Sequence, residues 1–301
     1  SEKILELSKK ITEKDLVIVV VSGGGSALLC WPMKECEQAN RLYEEFLPTG
    51  GNIKELNTIR KHISLLKGGG LAKQLYPAKI IGLIFSDVPG NNFEYIASGP
   101  TYKDTTTIDD AQAILDKYGL TGYELNETPN EDKYFENVTN IPLVSNIDAE
   151  KAMAEKAQSM GLKAEILSYE LYDAPEQIVS KFLKEIEPNT VVVAGGEPKS
   201  IIKKKGGTGG RCELLAMAML PHLQEGDVFA AIASDGLDNS AKAGVIEDWH
   251  TLQKVKDTPI DIEDYKARLD SLGFYTKTGN ELINTGPTHA NVSDLMVAFR
   301  K

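Results

Sequence analysis

No apolar run in the 301 residues is long enough to span a bilayer, so no membrane partner is expected. The N-terminus reads as a polar helix rather than a secretory leader. Cysteine is scarce. Cys30, Cys36 and Cys212 form an odd set without zinc spacing, which excludes a zinc site and points to a reducing cytoplasm. Cys30 and Cys36 are too far apart for a C-x-x-C pair and are given a structural role. The four histidines form no Ser/His/Asp spacing of a hydrolase. His62, on a basic helix, reads as a structural hydrogen bonder. Basic residues are outnumbered 33 to 44 and the formal net charge is −11, with Lys203, Lys204 and Lys205 as the only basic run. That balance argues against a nucleic-acid partner. Neither G-x-G-x-x-G nor the P-loop pattern occurs.

What is present points to layered α/β structure. Residues 17–21 are a β-branched run that reads as a buried strand, and Ser22, Gly23, Gly24, Gly25 and Ser26 follow it as a turn into a helix. Free amides and a helix start in one small volume attract anions, phosphate above all. The same residues also serve as an unliganded tight βα turn. Strands are expected at 79–85, 142–144, 163–167, 190–194, 227–233 and 294–299, with helices between them. Residues 53–75 read as one helical stretch and 121–140 as a polar excursion. Pro188-Asn189 marks the expected domain boundary. Strands alternating with helices predict α/β layers.

Several strands end in small, polar or acidic turns, where open α/β sheets bind ligands. The turns are 22–26, 86–90, 195–197, 234–238 and 285–288. An acidic protein that handles an anion must concentrate its few cations locally. Arg211 follows Gly206-Gly207-Thr208-Gly209-Gly210, so backbone and guanidinium can approach one ligand, and arginine holds a carboxylate or phosphate through two parallel bonds. Lys67 precedes three glycines and reads as an anion contact or as a helix-end cap. Arg60 reads equally as an anion contact or a solvated helix face. Asp87 and Asp235 each follow a serine at a strand end, as metal carboxylates or turn caps.

Taken together, these motifs resemble the MOFRL-type (class II) glycerate 2-kinases. The matching stretches are SGGGSALL at 22–29, LNTIRKHISLLKGGGLA at 56–72, IFSDVPG at 84–90 and IASGPTYKDTTT at 96–107. They continue with AGGEP at 194–198, GTGGR at 207–211, SDGLD at 234–238 and TGPTHANVSDL at 285–295. The resemblance implies two α/β domains around a cleft: a Rossmann-like parallel-sheet domain at 1–188 and a C-terminal MOFRL domain at 189–301. It implies phosphorylation of D-glycerate to 2-phosphoglycerate, with ATP and Mg²⁺. Arg211 and Lys67 are then the expected catalytic cations. Ser22–Ser26, Arg60, Glu197, Thr285 and Asn291 are the expected phosphate or substrate contacts, and Asp87 and Asp235 the expected metal carboxylates.

The chain departs from the family pattern in several places. Family members carry a further N-terminal segment with an active-centre lysine, so a homodimer or a complementing N-terminal chain is an expected partner. Asn91 and Asn92 stand where relatives have acids. Cys212, Glu213 and Leu214 replace Asn-Gln-Glu, and His289 and Ala290 interrupt T-G-P-T-G-T-N. Two other readings follow: a hydroxypyruvate reductase, and a degenerate or split protein that binds glycerate or nucleotide without catalysis.

Overall fold

The computed structural model describes residues 1–90, 92–199, 206–279 and 281–301. Lys203, Lys204, Lys205 and Asn91 lie outside them. The chain forms two compact units, Ser1–Ser86 with Asn92–Leu143, and Asp87–Asn91 with Val144–Lys301. Both combine helices with a sheet, as the α/β expectation required. Among the described residues no helix is long and apolar enough to cross a membrane.

The first unit is built on β1 (Leu16–Val21), β2 (Lys79–Phe85) and β3 (Val138–Val144), in the order β1-β2-β3. Strands β1 and β2 are parallel, with Leu16 opposite Lys79 and Val21 opposite Ile84. Side chains alternate across a strand, so Val17 and Val19 pack onto Leu66, Leu71, Leu75 and Ile80. The opposite face is open: Leu16, Ile18 and Val20 are 56, 59 and 65% exposed. The β-branched run therefore forms the expected strand, but only one of its faces is buried.

The helix expected at 53–75 is two helices, Ile53–His62 and Gly70–Leu75. Asn52 and Glu55 close a reciprocal capping box that starts the first. Gly68 and Gly69 then turn the chain at φ 54° and 84°, a region glycine enters without a Cβ penalty. Part of the stretch read as an excursion is ordered as a short 3-10 turn, Asp132–Tyr134, and the start of β3.

In the second unit β4 (Lys163–Leu171), β5 (Thr190–Gly196), β6 (Val228–Ala233), β7 (Gly244–Asp248), β8 (Leu282–Ile283) and β9 (Asp294–Arg300) order as β4-β5-β9-β6-β7-β8. Only β4 and β5 are parallel; the other neighbours are antiparallel. Strand β5 is buried on both faces. Val192 and Ala194 meet the main core, while Val191 and Val193 pack with Ala157. The helix Arg211–Met219 is buried from Cys212 to Met219; apart from Glu213 this stretch is apolar all round, as expected for a helix inside a core. The boundary expected at Pro188-Asn189 lies inside this unit, where β4 pairs with β5 across it.

Each unit buries an ionisable side chain. In the first, Lys67 is 1% exposed; its Nζ donates to Leu29 O at 2.5 Å and pairs with Glu35 Oε1 at 3.2 Å. Glu35 Oε2 also accepts from the amides of Trp31 and Leu65. A Cys30–Cys36 disulfide closes the same segment, a pairing that departs from the reading of the three cysteines as a set suited to a reducing compartment. In the second, Glu150 is fully buried, and Asn146 Nδ2 donates to its Oε1 at 2.8 Å. Its Oε2 has no partner, and burial raises its pKa to about 8.

Two predictions follow from these groups. Removing one partner of a buried ion pair strands the other, so Lys67→Met is expected to lower unfolding stability by about 3–5 kcal/mol in urea denaturation. A loss below about 1 kcal/mol, the range of an exposed pair, would contradict this. The folded state holds the Glu150 proton where the unfolded chain has released it, so this group's stabilising contribution is lost as pH rises from about 4.5 through 8. Glu150→Gln removes that titration. Its melting temperature relative to the parent is expected to rise between pH 5 and pH 9; an offset that is constant with pH would refute it.

Candidate active site

In the first unit the glycine turn after β1 leads into a single helical turn, Gly25–Leu28, shorter than the sequence reading implied. Gly24 caps it at φ 77°. A Cβ on Gly25 would lie 2.6 Å from the Ala97 Cβ, so only glycine allows this approach. Ser26 Oγ and Ser98 Oγ share a hydrogen bond of 3.0 Å, and Ser98 Oγ donates to Asn57 Oδ1 at 3.3 Å. The amides of Gly68 and Gly69 donate to Ser98 O and Gly99 O at 2.9 and 2.8 Å. Three sequence motifs, the glycine turn, the Lys67 turn and I-A-S-G-P, are thereby packed together.

Arg60 is partly buried within this group, 3.5 Å from Asn57 Oδ1 and over the Tyr43 ring. Lys67 belongs to the same turn, but its ammonium is enclosed by Leu29 O and Glu35 rather than offered to a ligand. His62 bonds Asn126 O and Thr106 Oγ1 inside the core, the structural role expected of it.

The second unit gathers four of the five turns. The register sets Gly196 of β5 and Ala233 of β6 opposite Asp294, the first residue of β9. The ends of these three strands therefore meet at one edge of the sheet. Ser293 Oγ donates to Asp87 O at 2.6 Å, and Gly90 N donates to Asn146 Oδ1 at 3.0 Å, which seats the segment 87–90 here. Ser234 Oγ accepts from Val292 N at 2.8 Å, and Thr288 N donates to Asp235 O at 2.9 Å. Gly236, at φ 88°, lies so close to Gly286 O that a Cβ would come within 2.1 Å. Thr285 bonds the neighbouring Gly286 O, and Asn291 Oδ1 accepts from Ser293 N.

Among the described residues, Arg211 is the cation that lines the cavity at this edge. Its Nε and Nη2 donate to the two oxygens of Asp294, and Nη1 donates to Glu197 Oε1 at 2.6 Å. Asp294 is buried, and desolvation raises its pKa to about 6 against the pull of Arg211. Asp238 accepts from the amides of Cys212 and Glu213 at 3.2 and 3.0 Å, occupying the N-terminus of the helix that Arg211 opens. Glu213, standing where the family pattern has glutamine, is held by Ser271 Oγ at 2.9 Å, and burial raises its pKa to about 7. A cavity of about 160 Å³ is lined by Arg211, Ser234, Asp235, Asp238, Asn291 and Asp294, among others.

Asp294 was not among the sequence-derived site residues. Its signal, an acid opening the apolar strand D-L-M-V-A-F, is indistinguishable from turn chemistry. Asp235 lines the cavity, and its Oδ1 accepts from Leu237 N at 2.9 Å. Burial raises the Asp87 pKa, and the charge of Glu197 adds to the shift. Among the described residues no three His, Cys, Asp or Glu side chains form a metal cage.

Residues 1–129 match the domain of unknown function DUF4147, and residues 190–294 match the MOFRL family. The D-glycerate 2-kinase of Thermotoga maritima is 35% identical over 99% of this chain and 76% of its own length. A glycerate 2-kinase of Pyrococcus horikoshii is also 35% identical, over 99% and 74%. The crystal structure of a glycerate kinase from Thermotoga maritima superposes with a TM-score of 0.88 at 32% identity, covering 100% of this chain and 76% of that one. The chain belongs to the MOFRL family of glycerate 2-kinases.

Proposed function

We propose that this chain transfers the γ-phosphoryl group of ATP to the 2-hydroxyl of D-glycerate, giving 2-phosphoglycerate and ADP. Relatives called D-glycerate 2-kinase and glycerate 2-kinase support this reading, and one observation ties it to this chain. Arg211 is fixed side-on by a buried carboxylate at the rim of a polar cavity. Phosphoryl transfer asks the protein mainly for positioning and charge neutralisation. A guanidinium has five N–H donors, and three of those on Arg211 are engaged. The remaining donors suit the transferring phosphoryl oxygens or the glycerate carboxylate.

The cavity lining carries Asp235, Asp238 and Asp294 against Arg211, so it suits an anion that brings its own cation. ATP arrives as its Mg²⁺ complex. Mg²⁺ typically takes one or two protein carboxylates beside substrate phosphates, which is the number that Asp87 and Asp235 offer. When bound, it would neutralise the phosphate oxygens.

From the first unit, Ser22, Gly23, Gly24, Gly25 and Ser26, with Arg60, are our proposed phosphate contacts. Thr285 and Asn291 are proposed contacts from the second. Lys67 acts through the segment it holds, as a positioning residue. We keep 1–188 and 189–301 as the functional segments, a division that the limits of the family matches support. The open apolar face of β1 supports cover by a further polypeptide segment in the working enzyme, since the relatives are longer than the matched region.

A relative from Agrobacterium vitis, 33% identical, is called a putative hydroxypyruvate reductase. No residue pattern here favours a nicotinamide site. The test is ADP release from MgATP and D-glycerate, with the product identified by phosphorus NMR. Arg211→Ala is expected to lower kcat by about 10³-fold. It also strands the buried Asp294, so its fold is checked beside Arg211→Lys. Turnover equal to the parent, or consumption of NADH with hydroxypyruvate in place of ADP release, would overturn the reading.

A further inference from the structure

Arg211 has two carboxylate partners of different kinds. The side chain of Asp294 is 1% exposed, and that of Glu197 is 47% exposed. Asp294 opens β9 and lies in register between Gly196 and Ala233, so it is fixed by ladders on both sides. Glu197 follows the end of β5; its backbone is held by Leu171 O, while its side chain extends toward solvent. Two carboxylates on one guanidinium leave the group net negative. A further anion that brings no cation of its own is therefore held more tightly once one carboxylate leaves, and burial decides which.

We propose that Glu197 is a built-in competitor of the substrate: it holds Nη1 of Arg211 when no ligand is bound, and an incoming carboxylate or phosphoryl group displaces it. Asp294 stays throughout as the positioning residue. The exchange replaces one anion by another on the same donor, so affinity reflects the difference between two similar contacts. Glu197 thus sets a threshold: ligands with one weak acceptor fail to displace it, whereas those offering two or three anionic oxygens succeed.

This inference rests on Arg211 being the anion contact, and its test separates the two ideas. The full chain is titrated calorimetrically with D-glycerate and, separately, with inorganic phosphate. Glu197→Gln is expected to bind at least about threefold more tightly, the effect of losing a half-exposed ion pair. Glu197→Asp keeps the charge but shortens the reach, and should tighten binding too. In steady-state kinetics Glu197→Gln lowers the glycerate KM, whereas Asp294→Asn lowers kcat. Arg211→Gln is expected to abolish binding, with thermal melts confirming that each variant folds. If Arg211→Gln loses binding but both Glu197 variants bind no tighter than the parent, Glu197 is not a competitor and only this inference falls. Tightening by Glu197→Gln alone, without Glu197→Asp, overturns it as well, because the cause is then the field rather than the contact. Binding unchanged in Arg211→Gln removes the underlying reading.

Discussion

The pairing of Arg211 with the buried carboxylate of Asp294 is the constraint on which the site depends. It joins the first residue of a buried helix to the first residue of the strand at the centre of the second sheet. Antiparallel register then places the ends of β5 and β6 beside the same carboxylate. A long cation that is otherwise free to sample many rotamers is held in one orientation, the kind of preorganisation that raises the electrostatic effect of a charged group. Asp238 reinforces it by binding the amides at the start of the same helix.

The electrostatics of the second unit are unusual for an anion site because acids outnumber bases along the cavity. Burial keeps Asp294 and Glu213 closer to neutrality than exposed carboxylates, with pKa values raised to about 6 and about 7. The arrangement suits a substrate delivered with a divalent cation better than a bare anion. In the first unit, glycine turns allow close backbone approach and Lys67 holds the segment that follows, so the positive charge there is structural.

Much of this was legible in the sequence because strands and glycine turns carry local signals. The apolar runs at 17–21, 79–85 and 190–194 became strands, and the turns after them became the polar edges. Long-range partners were not legible. Lys67 reads as an anion contact or a helix-end cap because its spacing before three glycines says nothing of Glu35, which reaches it across the fold. Nothing local singles out Asp294, because its importance comes from the register between β9 and its neighbours. The open face of β1 was hidden too: a continuous β-branched run looks the same whether one face is covered or both. Compactness divides the chain at Val144, while the family matches divide it near Thr190, and only the latter coincides with a local sequence break.

The most direct measurement is a double-mutant cycle on Arg211→Lys and Asp294→Asn, read as kcat for ADP formation from MgATP and D-glycerate. If the carboxylate acts by orienting the guanidinium, the two changes are non-additive, with a coupling of about 1 kcal/mol or more. Additivity within about 0.5 kcal/mol would contradict the account, because Arg211 and Asp294 would then serve the reaction independently.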